Sequence, residues 1–160
     1  MIIVLMGVTG AGKTTIGRLL AEELGWTFLD ADEFHSQANV EKMRGGSPLT
    51  DEDRVGWLES LEQLIRDKLR SQSNFVLACS ALRASYRSRL LIDDEVRLVY
   101  LKATRSLIQA RLSERRGHYM NPSLIDSQFA ILEEPQQAFV VDAEVSPEDI
   151  VNTIREKIGI

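Results

Sequence analysis

Residues 1–15 read MIIVLMGVTGAGKTT, and their order decides the fold. Ile2–Met6 is an unbroken apolar run, as expected of a strand buried on both faces. Gly7-Val8-Thr9-Gly10-Ala11-Gly12-Lys13-Thr14 follows at once and fits G-x-x-x-x-G-K-[ST]. Ile16, Leu19, Leu20 and Leu24 then recur at helical spacing, and Gly25 stands where the helix should end. Strand, glycine-rich turn and amphipathic helix in this order predict a phosphate-binding loop. Glycines let the backbone approach phosphate oxygens closely, so that successive N–H groups and the helix N-terminus surround the anion. Lys13 adds a cation for the β- and γ-phosphates, and the Thr14 hydroxyl is a hard oxygen ligand suited to Mg²⁺. The expected nucleotide-binding set is therefore Gly7, Val8, Thr9, Gly10, Ala11, Gly12, Lys13, Thr14 and Thr15, with ATP and Mg²⁺ as its ligands.

The rest of the chain continues the alternation. Strands are expected at 27–29, 75–78, 96–101 and 138–141. Helices are expected from Thr50 to about residue 70 with Val55, Leu58, Leu61 and Ile65 inward, and from a Ser80 cap through Leu82, Tyr86 and Leu90. Further helices should run from Thr104 to about Arg116, from Asn121-Pro122, and from Ser146-Pro147 with Ile150, Val151, Ile154 and Ile158 inward. Alternating strands and helices imply an α/β fold, a parallel sheet with helices on both faces.

Length and composition narrow the function. At 160 residues and 18.0 kDa the chain suits one domain spanning 1–160. That leaves no room for the coupling domains of a motor or transporter ATPase. The N-K-x-D and D-x-x-G signals of a GTPase are missing, so a small kinase is favoured. A net charge of −5 is a poor match to nonspecific nucleic-acid binding. The apolar run at 1–6 falls short of the ~20 residues of a membrane helix and lacks a basic flank and cleavage site, so neither a span nor a signal peptide is expected. The single Cys79 excludes an internal disulfide and a cysteine zinc site, pointing to a cytoplasmic protein.

Candidate chemistry gathers at the carboxyl ends of the strands, where open parallel sheets bind ligands. Asp30 and Asp32 flank Ala31 at the end of the second strand. One carboxylate can hold the metal ion, a role assigned to Asp30 because the third strand lacks a terminal acid. The other can take a hydroxyl proton. His35 follows as a substrate contact or a surface histidine. Cys79 is most simply a packed small residue. Arg83 and Arg87, spaced i and i+4, could clamp an anionic substrate. Arg111 and Arg115 share that spacing before Gly117-His118, and the arginine-rich helix–loop–helix at about 104–132 is expected to act as a lid.

Several longer blocks go beyond the phosphate loop: LDADEFH at 29–35, NVEKMRGGSPLTDEDRVGWL at 39–58, CSALRASYRSRL at 79–90 and RRGHYMNPSLIDSQFAILEEP at 115–135. With them the chain resembles the gluconate kinases, small P-loop kinases of the nucleoside-monophosphate-kinase type, over nearly its whole length. The resemblance implies ATP-dependent phosphorylation of D-gluconate on its 6-hydroxyl. It also implies a sheet of order 2-3-1-4-5, a mobile lid and a homodimer. Asp32 would be the acceptor-side base. His35, Lys42, Arg54, Arg83 and Arg87 would lie near the sugar acid, and Arg111, Arg115 and His118 in the lid, with Lys13, Arg111 and Arg115 serving catalysis and Arg111 also the nucleotide. Trp57, one turn after Arg54, could line the pocket or simply pack. Ser36, Arg83 and Asn121 depart from the residues usual in the family and bear on substrate preference.

Two other readings stay open on the residues alone. Shikimate kinase and adenylylsulfate kinase share the loop and the acid-bearing second strand, but not the 39–58 block. A nucleotide-binding sensor without turnover would bind ATP yet release no ADP with any sugar acid.

Overall fold

The computed structural model describes residues 1–114 and 122–160. The strands β1 (Ile2–Met6), β2 (Thr27–Asp30), β3 (Phe75–Ala78), β4 (Val96–Lys102) and β5 (Phe139–Asp142) form one sheet in the order β2-β3-β1-β4-β5. All neighbouring strands are parallel. The helices among the described residues are α1 (Lys13–Leu24), α2 (Gln37–Arg44), α3 (Asp51–Arg70), α4 (Ala84–Leu90), α5 (Arg105–Glu114), α6 (Pro122–Ile131) and α7 (Pro147–Ile158). The expected three-layer α/β architecture and strand order are present.

The period-2 alternation of strand side chains divides the core in two. Ile3, Leu5, Val76, Val99 and Leu101 face α1 and α7, where Ile16, Leu20, Ile150 and Ile154 meet them. Ile2, Val4, Phe75, Leu77 and Leu98 face the other side and meet Leu58, Leu61 and Ile65 of α3 and Leu90 of α4. Each such side chain, fully buried, contributes roughly 1.5–3 kcal/mol of transfer free energy. α1 lies tight on the sheet. A Cβ on Gly17 would stand 2.5 Å from a Phe28 ring carbon, which explains a glycine in mid-helix. This packing fixes the start of α1, and with it the phosphate loop, beside the end of β1. Strand β1 has β3 on one side and β4 on the other, so the loop opens at the switch point of the sheet.

α3 is anchored at its start by a reciprocal capping box. The Thr50 hydroxyl accepts from the Asp53 N–H, and the Asp53 carboxylate accepts from the Thr50 N–H. Three expectations are corrected here. Val55 is 45% exposed rather than inward, because the apolar stripe of α3 runs through Trp57, Leu58, Leu61 and Ile65. Ser80 does not cap a helix, and Leu82 precedes α4. The helix begins at Ala84, after Ala81 takes a positive φ of 46° that breaks the chain direction. Arg83 is consequently an extended N-cap residue, so Arg83 and Arg87 do not share a helix face. Two elements were not expected, α2 and a one-turn 3₁₀ helix at Ala31–Phe34. Thr104 starts α5 as anticipated, its hydroxyl accepting from the Leu107 N–H. The predicted lid residues Arg115, Arg116, Gly117, His118 and Tyr119 to Asn121 lie outside the described residues.

Candidate active site

Gly10 and Gly12 adopt φ of 85° and 101°, the left-handed conformation the loop needs to wrap an anion. Lys13 bends back over the loop. Its Nζ donates to the Gly7 and Val8 carbonyls at 2.9 and 3.0 Å. Burial pulls the Lys13 ammonium below its usual pKa, opposed by the charges of Asp32 and Asp30. A lysine desolvated in this way gains more from an incoming phosphate than a solvated one would.

The 3₁₀ turn brings the two predicted acids to the loop. Asp30 caps the turn, its Oδ1 accepting from the Asp32 N–H at 3.0 Å. Its Oδ2 accepts from the Thr14 hydroxyl at 3.1 Å. Thr14 and Asp30 thus present two hard oxygens side by side, a donor set that fits a divalent cation completed by phosphate and water oxygens. Asp32 has its carboxyl pKa raised, first by burial and then by the Asp30 charge, against the pull of His35 and Lys13. A cleft of about 200 Å³ lies between the loop and the ends of β2 and β3, lined by Lys13, Thr14, Asp30, Asp32, Cys79 and Ser80. Cys79 is buried and its thiol is pushed up to about 12, which rules it out as a nucleophile at neutral pH. A larger hollow of about 540 Å³, between residues 91–98 and 137–139, has no glycine-rich turn on its walls.

Beyond Asp32 stand two arginines and His35, whose imidazole is pulled below its usual pKa by burial. His35 and Arg54 act electrostatically on each other, and Arg54 and Arg83 both face Asp51, each at 3.9 Å. Tyr86, absent from the expected site, joins this cluster. Its hydroxyl donates to Asp51 Oδ1 and accepts from Arg54 Nη1 at 3.1 Å, while the Arg54 guanidinium lies 5.6 Å from the ring centre. His35 Nδ1 and Arg83 Nε are buried and have no hydrogen-bond partner among the described residues. Unsatisfied buried polar atoms are uncommon, and these two belong to residues grouped around Arg54 and Asp51, where a polar ligand would satisfy them.

The remaining expected residues are differently engaged. Lys42 Nζ is paired with Asp53, whose carboxyl is held down to about 2 by that bond and by the Thr50 N–H. Arg87 is buried, and its Nη1 donates to the Ala81 and Leu82 carbonyls at 2.9 and 3.0 Å. Arg111 donates to the Gly10 and Ala11 carbonyls at 3.1 Å and to the Ala143 carbonyl after β5. These contacts seat it behind the phosphate loop, not over the cleft where a phosphoryl-clamping lid arginine would stand. Gln128 of α6 also reaches the loop, its Oε1 accepting from the Thr9 N–H and hydroxyl. Periodicity carries no signal for Gln128 or Tyr86, because each acts across a long stretch of chain.

A family model described as shikimate kinase matches residues 9–158. The gluconokinase of Arabidopsis thaliana is 42% identical over 99% of this chain and 92% of the relative. Within the kinases that the model describes, the chain belongs to the gluconokinase family. A solved gluconokinase from Sinorhizobium meliloti 1021 is 34% identical, with a TM-score of 0.87, covering 98% of this chain and 90% of that one. The shikimate kinase of Acinetobacter baumannii aligns over 98% of this chain and 92% of its own at 23% identity and a TM-score of 0.62, a likeness of fold alone. The 39–58 block that carries the gluconokinase resemblance corresponds to α2 and the first half of α3. Arg54 and Trp57 stand there, in the first turns of α3.

Tyr86→Phe tests whether this wall is built as described. Loss of the hydroxyl frees Arg54, and the gluconate KM should rise at least ~10-fold, as expected for one hydrogen bond to a charged group, with the ATP KM unchanged. Measured KM values for both substrates check this, and an unaltered gluconate KM would show that Tyr86 does not place Arg54.

Proposed function

We propose that the protein transfers the γ-phosphoryl group of ATP to the 6-hydroxyl of D-gluconate, giving 6-phospho-D-gluconate and ADP. The observation that carries this reading is the cleft lined by Lys13, the Thr14–Asp30 pair and Asp32, with His35 next to both Asp32 and Arg54, and Arg54 sharing Asp51 with Arg83. Anion-binding donors stand at one end, the Asp32 carboxylate follows, and His35, Arg54 and Arg83 stand beyond it. A linear sugar acid has the matching sequence of groups, a terminal hydroxyl and a carboxylate at opposite ends. The kinship with gluconokinases supports that acceptor over shikimate.

The residues divide the work of an in-line transfer. Lys13 exchanges its two carbonyl contacts for β- and γ-phosphate oxygens. Thr14 and Asp30 would hold Mg²⁺, whose charge would offset that developing on the phosphoryl oxygens. Asp32 orients the 6-hydroxyl and accepts its proton; a raised pKa brings it nearer the pH of reaction than an exposed aspartate. Arg54, Arg83 and His35 bind the carboxylate and hydroxyls of the sugar acid. Arg111 stiffens the phosphate loop from behind and joins it to the turn after β5. The family resemblance assigns Arg115 and His118 to a lid; both lie outside the described residues. The family resemblance further supports a single domain over 1–160 that works as a cytoplasmic homodimer. Among the described residues no helix is long and apolar enough to cross a membrane.

The assignment to the 6-hydroxyl is tested with 6-deoxygluconate, which keeps the carboxylate and loses the acceptor oxygen. It should compete with gluconate and yield no ADP. Stoichiometric ADP release with this analogue would place the transfer on another hydroxyl.

A further inference from the structure

Trp57 is buried in α3, and both faces of its chemistry are used at the site. Its Nε1 donates to the Ala31 carbonyl at 2.7 Å, across 26 residues of chain. Ala31 stands between Asp30 and Asp32, so this bond grips the backbone joining the two site acids. The indole ring also stacks on the His35 imidazole, with centroids 4.6 Å apart and planes 13° from parallel. Its buried Nδ1 has no hydrogen-bond partner among the described residues, and Asp32 and Arg54 both act on the ring electrostatically. An indole serving only to fill the core would need some acceptor for its N–H and some apolar neighbour for its face. This one takes the carbonyl between the two acids and a polar ring beside them.

We propose that Trp57 is a positioning residue for the phosphoryl acceptor, with its N–H fixing the turn that carries Asp32 and its ring face holding His35 toward the sugar acid. α3 makes this possible because the Thr50–Asp53 capping box and the Leu58, Leu61 and Ile65 contacts hold the helix rigidly against the sheet. Rigidity passes from α3 through one hydrogen bond and one ring stack to the short 3₁₀ turn and the histidine that follows it. Misplacement of a reacting group by about 1 Å can cost up to ~10²-fold in rate, so the effect is large enough to read. This inference rests on the assignment of Asp32 and His35 to the acceptor.

The test is steady-state kinetics and thermal melting of Trp57→Phe, Trp57→Leu, His35→Ala and the Trp57→Leu/His35→Ala double variant. Wild type and Asp32→Asn are measured alongside. Trp57→Phe keeps the stack and loses the N–H, so kcat should fall roughly 10-fold with the gluconate KM within about 2-fold of wild type. Trp57→Leu loses both contacts, and the gluconate KM should rise about 10-fold with the ATP KM unchanged. In the His35→Ala background that further rise should shrink to about 2-fold or less, because the two side chains act as one unit. Independent multiplication of the two KM effects, or equal shifts in the ATP and gluconate KM values, would overturn the proposal. A Trp57→Phe variant that melts lower with kcat intact would overturn it as well, and this variant decides the matter if Trp57→Leu does not fold. Full turnover by Asp32→Asn would instead remove the base assignment, while the Trp57–His35 cycle would still report whether the ring stack acts on the acceptor.

Discussion

Asp32→Asn should lower kcat by at least ~10²-fold, the usual size of general-base assistance, while ATP binds nearly as well as to wild type. Asparagine preserves the shape of the side chain, and the Asp32 N–H bond to Asp30 is a backbone contact that survives the change. What disappears is a basic oxygen in the cleft beside Lys13 and the Thr14–Asp30 pair. The substitution also removes a negative charge that stands against the Asp30 carboxylate, so the variant should melt no lower than wild type. Loss of rate with retained stability separates a chemical role from a structural one. ADP release under saturating substrates, with ATP affinity measured by titration calorimetry, gives the answer. A kcat within a few-fold of wild type would take the proton-accepting role from Asp32.

Lys13→Ala should reduce kcat by about 10²–10³-fold, the range seen when one preorganised donor to a developing charge is removed. It should also weaken ATP binding. In the absence of nucleotide, Lys13 satisfies the Gly7 and Val8 carbonyls, so the alanine variant leaves those acceptors to water and loosens the loop itself. The two substitutions are therefore distinguishable, since Asp32→Asn spares ATP affinity and Lys13→Ala does not. Lys13→Arg is an informative companion. The guanidinium keeps the charge but is too large for the two-carbonyl seat, so little activity should return. An active Lys13→Ala enzyme would contradict the phosphate-loop account.

The phosphate loop and the strands were legible because their signals are local. An apolar run leading into G-x-x-x-x-G-K-T needs nothing from the rest of the chain. The Thr50 and Ser146 caps were legible for the same reason, each being followed three residues later by an aspartate. α2 was hidden because Gln37–Arg44 has almost no apolar stripe. Its cues were the Ser36 cap and the Gly45-Gly46 end, and its buried contact is polar, Asn39 donating to the Asp53 carbonyl. The start of α4 was misplaced because helical periodicity through Leu82 and Tyr86 gave no sign of the left-handed turn at Ala81.

The site shows the same division. Lys13, Thr14, Asp30 and Asp32 could be found because loop and strand end are close in sequence as well as in space. The roles of Asp51, Tyr86 and Trp57 depend on contacts across 26 to 35 residues, and no spacing rule encodes those. Arg87 and Arg111 carried the charge expected of anion ligands, yet backbone carbonyls claim their donors. A guanidinium has five N–H donors, and a buried one must satisfy them wherever acceptors lie, so its count in a sequence overstates what is free for substrate.

The most direct measurement is a coupled ADP-release assay with Mg·ATP and gluconate, shikimate, glucose, adenylylsulfate or no added acceptor. Rapid release with gluconate alone, one ADP for each sugar acid consumed, is the predicted result. Release that follows shikimate or another acceptor, or ATP binding with no turnover on any of them, would contradict the account.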